Sequence, residues 1–183
     1  MIIYHNVKQR TPEWYALREG KWTGSTVIDL LRGKDHPREM SDYDNLYMKR
    51  GRMLEYLAIE AYQKESLYFR RTKYHGRVRL VGFITNTDYP NAGYSPDGIY
   101  GRRVLEVKCL KVDKHDAINN FTDLPTDYQA QVQLGLLITG FSTADVILYN
   151  PDSSKPLKII TVRKSNKILN NIKAKLLEVA KIT

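Results

Sequence analysis

Residues 104–110 read Val-Leu-Glu-Val-Lys-Cys-Leu, a run that is apolar on both faces yet keeps an acid and a lysine two positions apart. Such a run is the pattern of a strand buried between layers. Buried charges are costly unless they are paired or bound to a metal. The fold must therefore enclose this strand and also give Glu106 and Lys108 partners.

One partner lies just upstream. Ser95-Pro96-Asp97-Gly98-Ile99-Tyr100 precedes the strand, and Gly101-Arg102 has the glycine-first form of a two-residue type II′ hairpin loop. Tyr100 then pairs with Arg103, and counting outward sets Asp97 opposite Glu106, about 4.5–5.5 Å away at Cβ. Strand alternation puts Asp97, Glu106 and Lys108 on one face and Leu105 and Val107 on the other. Facing carboxylates repel unless a cation sits between them. Oxygen ligands at this spacing suit a hard ion such as Mg²⁺. The competing reading is a surface hairpin with Glu106 and Lys108 solvated; the apolar flanks argue against it.

The rest of the chain supplies layers for this strand. Thr11-Pro12-Glu13 starts a helix that stops at Gly20. Thr23-Gly24-Ser25-Thr26 opens a second over residues 27–31, and a polar loop covers 34–42. A long helix is expected over 43–64, with Leu46, Met53, Leu54, Leu57, Ala58 and Ala61 as its apolar face. Residues 67–70 and 78–85 read as strands, 86–91 as a turn and 113–120 as a short helix. A helix over 126–139 stops at Gly140; strands follow at 143–149 and 157–162, then a last helix capped by Ser165. Trp14 reads as core. With no repeat or linker, residues 1–183 form one domain, an α/β mixture with helices around a central, mostly antiparallel sheet.

Composition narrows the function. The net charge of +9 is compatible with a nucleic-acid partner. The basic runs 70–73 and 77–79 are candidates for contacts to a DNA backbone. A single cysteine, Cys109, excludes an internal disulfide framework and a cysteine-ligated cluster, and fits a reducing compartment. His5, His36, His75 and His115 show no metal-ligand spacing. No apolar run reaches the roughly 20 residues that span a bilayer, and the N-terminus lacks the pattern of a signal peptide, so a cytoplasmic protein is expected.

Asp97…Glu106-Val107-Lys108 resembles the core motif of the PD-(D/E)xK nuclease superfamily. The longer string Ser95-Pro96-Asp97-Gly98…Leu105-Glu106-Val107-Lys108-Cys109 resembles, more narrowly, the phage lambda exonuclease family of recombination nucleases. Further blocks agree in order: Trp14…Leu17-Arg18 with Thr23-Gly24-Ser25, Gly51…Glu55, Tyr128-Gln129-Ala130-Gln131-Val132-Gln133, and Tyr149-Asn150-Pro151. The resemblance spans residues 12–151. It implies a restriction-endonuclease-like core in which Asp97, Glu106 and the Val107 carbonyl hold Mg²⁺, with Mn²⁺ able to substitute, and Glu55 acts through water. Lys108 would orient and activate the attacking water, and Gln131 would lie beside it. Arg18, Thr23, Ser25 and Ser95 would bind a terminal 5′-phosphate.

Read without the resemblance, Glu55 is an ion-pair partner for Arg52, and Thr23 and Ser25 are N-caps. Gln129 and Gln133 point elsewhere on their helix, toward solvent. Trp22, beside the phosphate segment, is a candidate for stacking on a base. The function implied is a Mg²⁺-dependent deoxyribonuclease, a 5′-to-3′ exonuclease on double-stranded DNA ends. It would act in phage-type recombination with a single-strand annealing protein, and family members form ring trimers. The alternatives are an endonuclease, nickase or junction resolvase of the same superfamily, and a catalytically silent DNA-binding module.

Overall fold

A computed structural model describes residues 1–38, 46–69 and 77–181. The hairpin forms in the expected register. Strands β4 (Gly98–Tyr100) and β5 (Arg103–Lys108) pair antiparallel, with Tyr100 opposite Arg103 and Gly98 opposite Leu105. Gly101 takes φ +59°, a value that suits glycine, whereas Arg102 does not enter the left-handed region. Beyond β4, the Asp97 amide donates to the Leu105 carbonyl, which carries the pairing one step further.

The expected central sheet is divided in two. β1 (Ile2–His5), β2 (Phe83–Asn86) and β3 (Gly93–Tyr94) form one antiparallel sheet. β4 and β5 continue into β6 (Thr143–Tyr149) and β7 (Leu157–Arg163), with β5 and β6 parallel and the other pairs antiparallel. The chain passes from one sheet to the other at Ser95-Pro96-Asp97, where proline has no N–H to continue a ladder.

Helix α3 (Leu46–Phe69) covers one face of the second sheet, where Ala58 and Tyr62 pack against Tyr100, Leu105 and Ile147. The opposite face, carrying Val104, Ala144, Val146 and Leu148, meets α5 (Thr126–Thr139), and α6 (Asn166–Val179) packs against α5 and joins the same core. α5 also packs against β2 and β3 and is buried almost throughout from Ala130 to Thr139, which makes it the layer between the two sheets. It ends at Gly140, left-handed at φ +69°. The shorter helices are α1 (Pro12–Arg18), α2 (Val27–Leu31) and α4 (Val112–Ala117). No helix among the described residues is long and apolar enough to cross a membrane.

Several expectations need correction. Residues 67–69 belong to α3 and are not a strand, because no glycine or proline interrupts the helix after Gly51 in that stretch. Residues 43–45 and 70–73 lie outside the described residues. Within 78–82 only an isolated bridge between Arg79 and Ile99 forms, so the strand is confined to β2. Met53 and Leu57 face solvent at 77% and 42% exposure, and the inner stripe passes through Ala58 and Tyr62. Gln133 is fully buried, donating to the Arg163 carbonyl and accepting from the Ser165 amide.

Tyr62 also anchors α3 to the sheet beneath it. Its hydroxyl donates to Asp145 Oδ2 at 2.7 Å, while Thr161 and Arg103 donate to Oδ1 at 2.6 and 3.1 Å. Asp145 is completely buried, and losing a donor to a buried charge costs about 1.5–3 kcal/mol. Tyr62→Phe should therefore lower thermal stability, with Tm falling about 2–4 °C per kcal/mol lost. An unchanged melting curve would mean that this bond does not hold α3.

Candidate active site

At the far end of β5, side chains from both sides of the sheet meet in a cleft of about 360 Å³ lined by Glu55, Asp97, Glu106, Lys108, Arg10 and Tyr128, among others. Glu106 stands on β5 at 3% exposure. Its Oε1 accepts from Lys108 Nζ at 3.0 Å and from Gln131 Nε2 at 2.5 Å, and its Oε2 from the Tyr94 hydroxyl at 2.5 Å. Lys108 Nζ also donates to Gln131 Oε1 at 2.9 Å and lies 4.3 Å from the centre of the Tyr128 ring. Asp97 Oδ2 accepts from the Val107 amide at 2.6 Å, so the facing pair is fixed by backbone as well as register.

Electrostatics at the cleft follow from burial and from the crowding of acids. Burial, then the charges of Glu106 and Glu55, push the Asp97 carboxyl well above the usual range, against the opposing pull of the Val107 amide and Lys108. Burial works against the Lys108 charge, but Glu106 and Asp97 outweigh it and hold the ammonium above its ordinary value. Burial, reinforced by Glu106, keeps the Tyr94 phenol protonated and therefore a donor. Burial and the nearby Glu55 and Asp97 raise the Cys109 thiol to about 11, which leaves it neutral and poorly nucleophilic at pH 7.

Whether a divalent cation fits can be judged from these donors. Asp97 and Glu106 offer carboxylate oxygens, Val107 lines the same cleft directly after Glu106 in sequence, and Asp97 answers the shortage of positive charge with its raised pKa. Among the described residues, no three of His, Cys, Asp and Glu converge into a cage. A partial set of hard oxygen donors suits an ion that keeps much of its water. Glu55 faces the cleft from α3, with its Oε2 3.7 Å from Arg10 Nη2. The side chain of Arg52, the other partner considered for Glu55, lies outside those described.

A second group assembles around Arg18. Its guanidinium donates to Ser95 Oγ at 3.0 Å and to Thr23 Oγ1 at 3.2 Å, and reaches Ser25 Oγ at 3.4 Å. Trp14 supports it from below: the guanidinium lies 4.1 Å from the ring centre, and the indole N–H donates to Ser95 Oγ and the Gly82 carbonyl. Burial pulls Arg18 down to about 10, still fully charged at pH 7. Arg18 and Thr23 line a cleft of about 630 Å³ with Lys21, His36 and Arg38. Thr23 and Ser25 are not N-caps; Thr26 occupies that position of α2, without a side-chain capping bond.

The two groups are joined by short links. Ser95 and Asp97 are separated only by Pro96, a span of at most about 7 Å at Cα. Gly24 lies against Gln131, where a Cβ would come within 2.8 Å of Gln131 Cγ. Trp22 does not serve as a stacking platform: at 2% exposure its indole is enclosed in the core, bridging through its backbone to Ala92.

Sequence reasoning missed Tyr94, Tyr128, Trp14 as the support of Arg18, and Arg10. Tyr94 precedes one matched block and Tyr128 opens another, but neither has a spacing signal that assigns it a task. Arg10 is held at φ +68°, the one non-glycine residue in that region among those described. Such a conformation costs about 1–2 kcal/mol, whereas a partly exposed ion pair returns only about 0–1 kcal/mol.

A family model described as the YqaJ-like viral recombinase domain matches residues 13–142. Among solved structures, LHK-Exo in complex with dAMP is 26% identical with a TM-score of 0.71, covering 94% of each chain. The alkaline exonuclease LHK-Exo from Laribacter hongkongensis matches at 24% identity and TM-score 0.68, again covering 94% of each chain. A phage-related exonuclease from Haemophilus somnus 129PT matches at 13% identity and TM-score 0.52, covering 97% of this chain and 87% of its own. No curated protein sequence matches significantly.

The raised Asp97 pKa gives a pH prediction. The folded protein holds this proton to higher pH than the unfolded chain, so folding takes up a proton in the window between the two values. Without metal, stability should fall as pH rises through that window and stay reduced above it. Asp97→Asn should melt higher than the parent in EDTA at pH 8, by about 2–4 °C per kcal/mol relieved, and lose any Mg²⁺-induced rise in Tm. Equal melting of the two proteins in EDTA at pH 8 would refute the crowding of charge.

Proposed function

The chain belongs to the YqaJ-like viral recombinase family, the lambda-exonuclease-like recombination nucleases, and from this premise we propose that it is a Mg²⁺-dependent exonuclease digesting double-stranded DNA from 5′-phosphorylated ends. The observation that carries the reading is the tether between its two groups. Ser95 accepts from Arg18 while Asp97, two residues on, lines the acidic cleft. An anion held by Arg18 and one facing Asp97 and Lys108 would then be separated on the order of one nucleotide step, given the reach of the connecting chain. That geometry supports removal of nucleotides from an end.

Each residue has a definable task. Ser95 Oγ accepts from Trp14 and Arg18 and so keeps its own O–H to donate to a terminal phosphate. Arg18, Thr23 and Ser25 complete the donor set. Asp97, Glu106 and the Val107 carbonyl would hold Mg²⁺, with Glu55 reaching it through water. When bound there, the ion supplies Lewis acidity and a water of lowered pKa. Lys108, held as an ammonium, orients the attacking water and stabilises charge developing on the scissile phosphate. Gln131 and Tyr128 fix the position of Lys108, and Tyr94 fixes Glu106. Mn²⁺ should substitute, and phage-type recombination with a single-strand annealing partner is the setting this activity fits.

Digestion of linear duplex with 5′-phosphate or 5′-hydroxyl ends, beside a closed circle, tests the proposal. The phosphorylated end should be degraded at least about tenfold faster, as expected for loss of an interaction of 1.4 kcal/mol or more, and the circle should survive. Arg18→Ala should erase the preference between ends. Lys108→Ala and Asp97→Ala should slow turnover by about 10²–10⁴-fold while leaving DNA binding measurable. Rapid cutting of the circle would establish an endonuclease instead.

A further inference from the structure

Arg10 is not explained by the roles given above. The turn that carries it is pinned on both sides. Gln9 Nε2 donates to the Pro96 carbonyl at 2.9 Å and to the Val81 carbonyl at 3.3 Å, and Thr11 Oγ1 donates to the Lys8 carbonyl at 2.9 Å. This ties the turn to the peptide immediately before Asp97 and leaves Arg10 at its tip in the left-handed conformation, φ +68°. Glycine would occupy that conformation without penalty, yet the position holds a long cationic side chain. The side chain lines both the cleft containing Glu106 and Lys108 and the neighbouring cleft of about 380 Å³, two spaces that share Asp97 and Glu55.

Its contact with Glu55 does not account for it. The nitrogen-to-oxygen separation is 3.7 Å, beyond hydrogen-bond range, and the side chains are 48% and 27% exposed. A pair of that kind does little for stability. What the placement does provide is a half-exposed forked donor beside Asp97 and Glu55, in a cleft that Lys108 also lines. A planar guanidinium matches two oxygens of a phosphate.

We propose that Arg10 is a substrate contact of the cutting centre: its guanidinium binds a DNA backbone phosphate at Asp97. This rests on the nuclease reading of the same cleft. The strain at Arg10 is then the fixed cost of aiming a cation at the substrate from a turn that would otherwise be glycine.

The test compares Arg10→Gly, Arg10→Lys and the parent protein in three measurements. The first is thermal unfolding in EDTA. The second is the salt dependence of duplex DNA binding in EDTA, where no cutting occurs. The third is steady-state digestion of 5′-phosphorylated duplex with Mg²⁺. Arg10→Gly should melt at the same temperature as the parent or about 2–4 °C higher, since it relieves the strained backbone. Its binding should lose close to one unit of slope in log K against log salt, the loss of one phosphate contact. Its kcat should fall at least tenfold, and Arg10→Lys should recover part of the salt slope and rate. Parent-like slope and rate in Arg10→Gly would overturn the proposal. So would a drop in Tm that parallels the lost activity, since Arg10 would then be holding the turn together. If the parent protein cuts no DNA, the nuclease reading fails, while the melting and salt-slope comparison still decides whether Arg10 contacts phosphate.

Discussion

Glu106 is a carboxylate at 3% exposure in the middle of the fold, and much of the structure is organised to keep it there. Breaking the contacts of a buried charge costs several kcal/mol, because the charge left behind has no water to replace them. Its three donors come from three different elements: Lys108 from its own strand β5, Gln131 from the interlayer helix α5, and Tyr94 from β3 of the other sheet. The acid thus ties both sheets and the helix between them to a single point. The same bonds set the protonation states on which chemistry at the cleft depends, with Tyr94 kept as a donor and Lys108 kept charged.

The break at Ser95-Pro96-Asp97 turns this structural knot into a site with two ends. Had the strand continued, Ser95 and Asp97 would have shared one face of one sheet. The passage between sheets instead gives Ser95 to the Trp14–Arg18 group and Asp97 to the cleft. Proline suits that position because the passage needs a residue that does not extend a ladder. The turn at Gln9 grips the Pro96 carbonyl, so the break is braced from the N-terminal segment as well.

The hairpin was legible because loop type, strand alternation and charge all specify one register, and the structure has it. α5 and β6 match their expected bounds because glycine ends the helix at 140 and an unbroken apolar run defines the strand. Residues 67–69 misled because a short aromatic run has no period long enough to separate strand from helix. Trp22 and Gln133 misled for a common reason. The aromatic beside the phosphate segment and the glutamine on a helix carry no local mark of their burial, which tertiary packing imposes: Trp22 joins the main core and Gln133 is enclosed on α5. Tyr94 bonds Glu106 from 12 positions away and Arg10 faces Glu55 across 45, and no local pattern encodes such pairings.

The charge distribution has a logic of its own. The chain carries a net charge of +9, yet its cleft gathers Glu55, Asp97 and Glu106 against Lys108 and Arg10. At long range such a protein attracts a polyanion. At the cleft, a phosphate approaching Asp97 meets acids that already crowd one another enough to hold a proton. The two facts are compatible only if positive charge enters the cleft before or together with the phosphate. On the proposed reading, a divalent cation on Asp97 and Glu106 would supply it from the protein's side, and the Arg10 guanidinium would supply it from the substrate's side. A basic surface around an acidic cleft therefore separates two tasks: the net charge gathers the polyanion with or without an ion, and positive charge placed at the acids decides how closely a phosphate can sit against them.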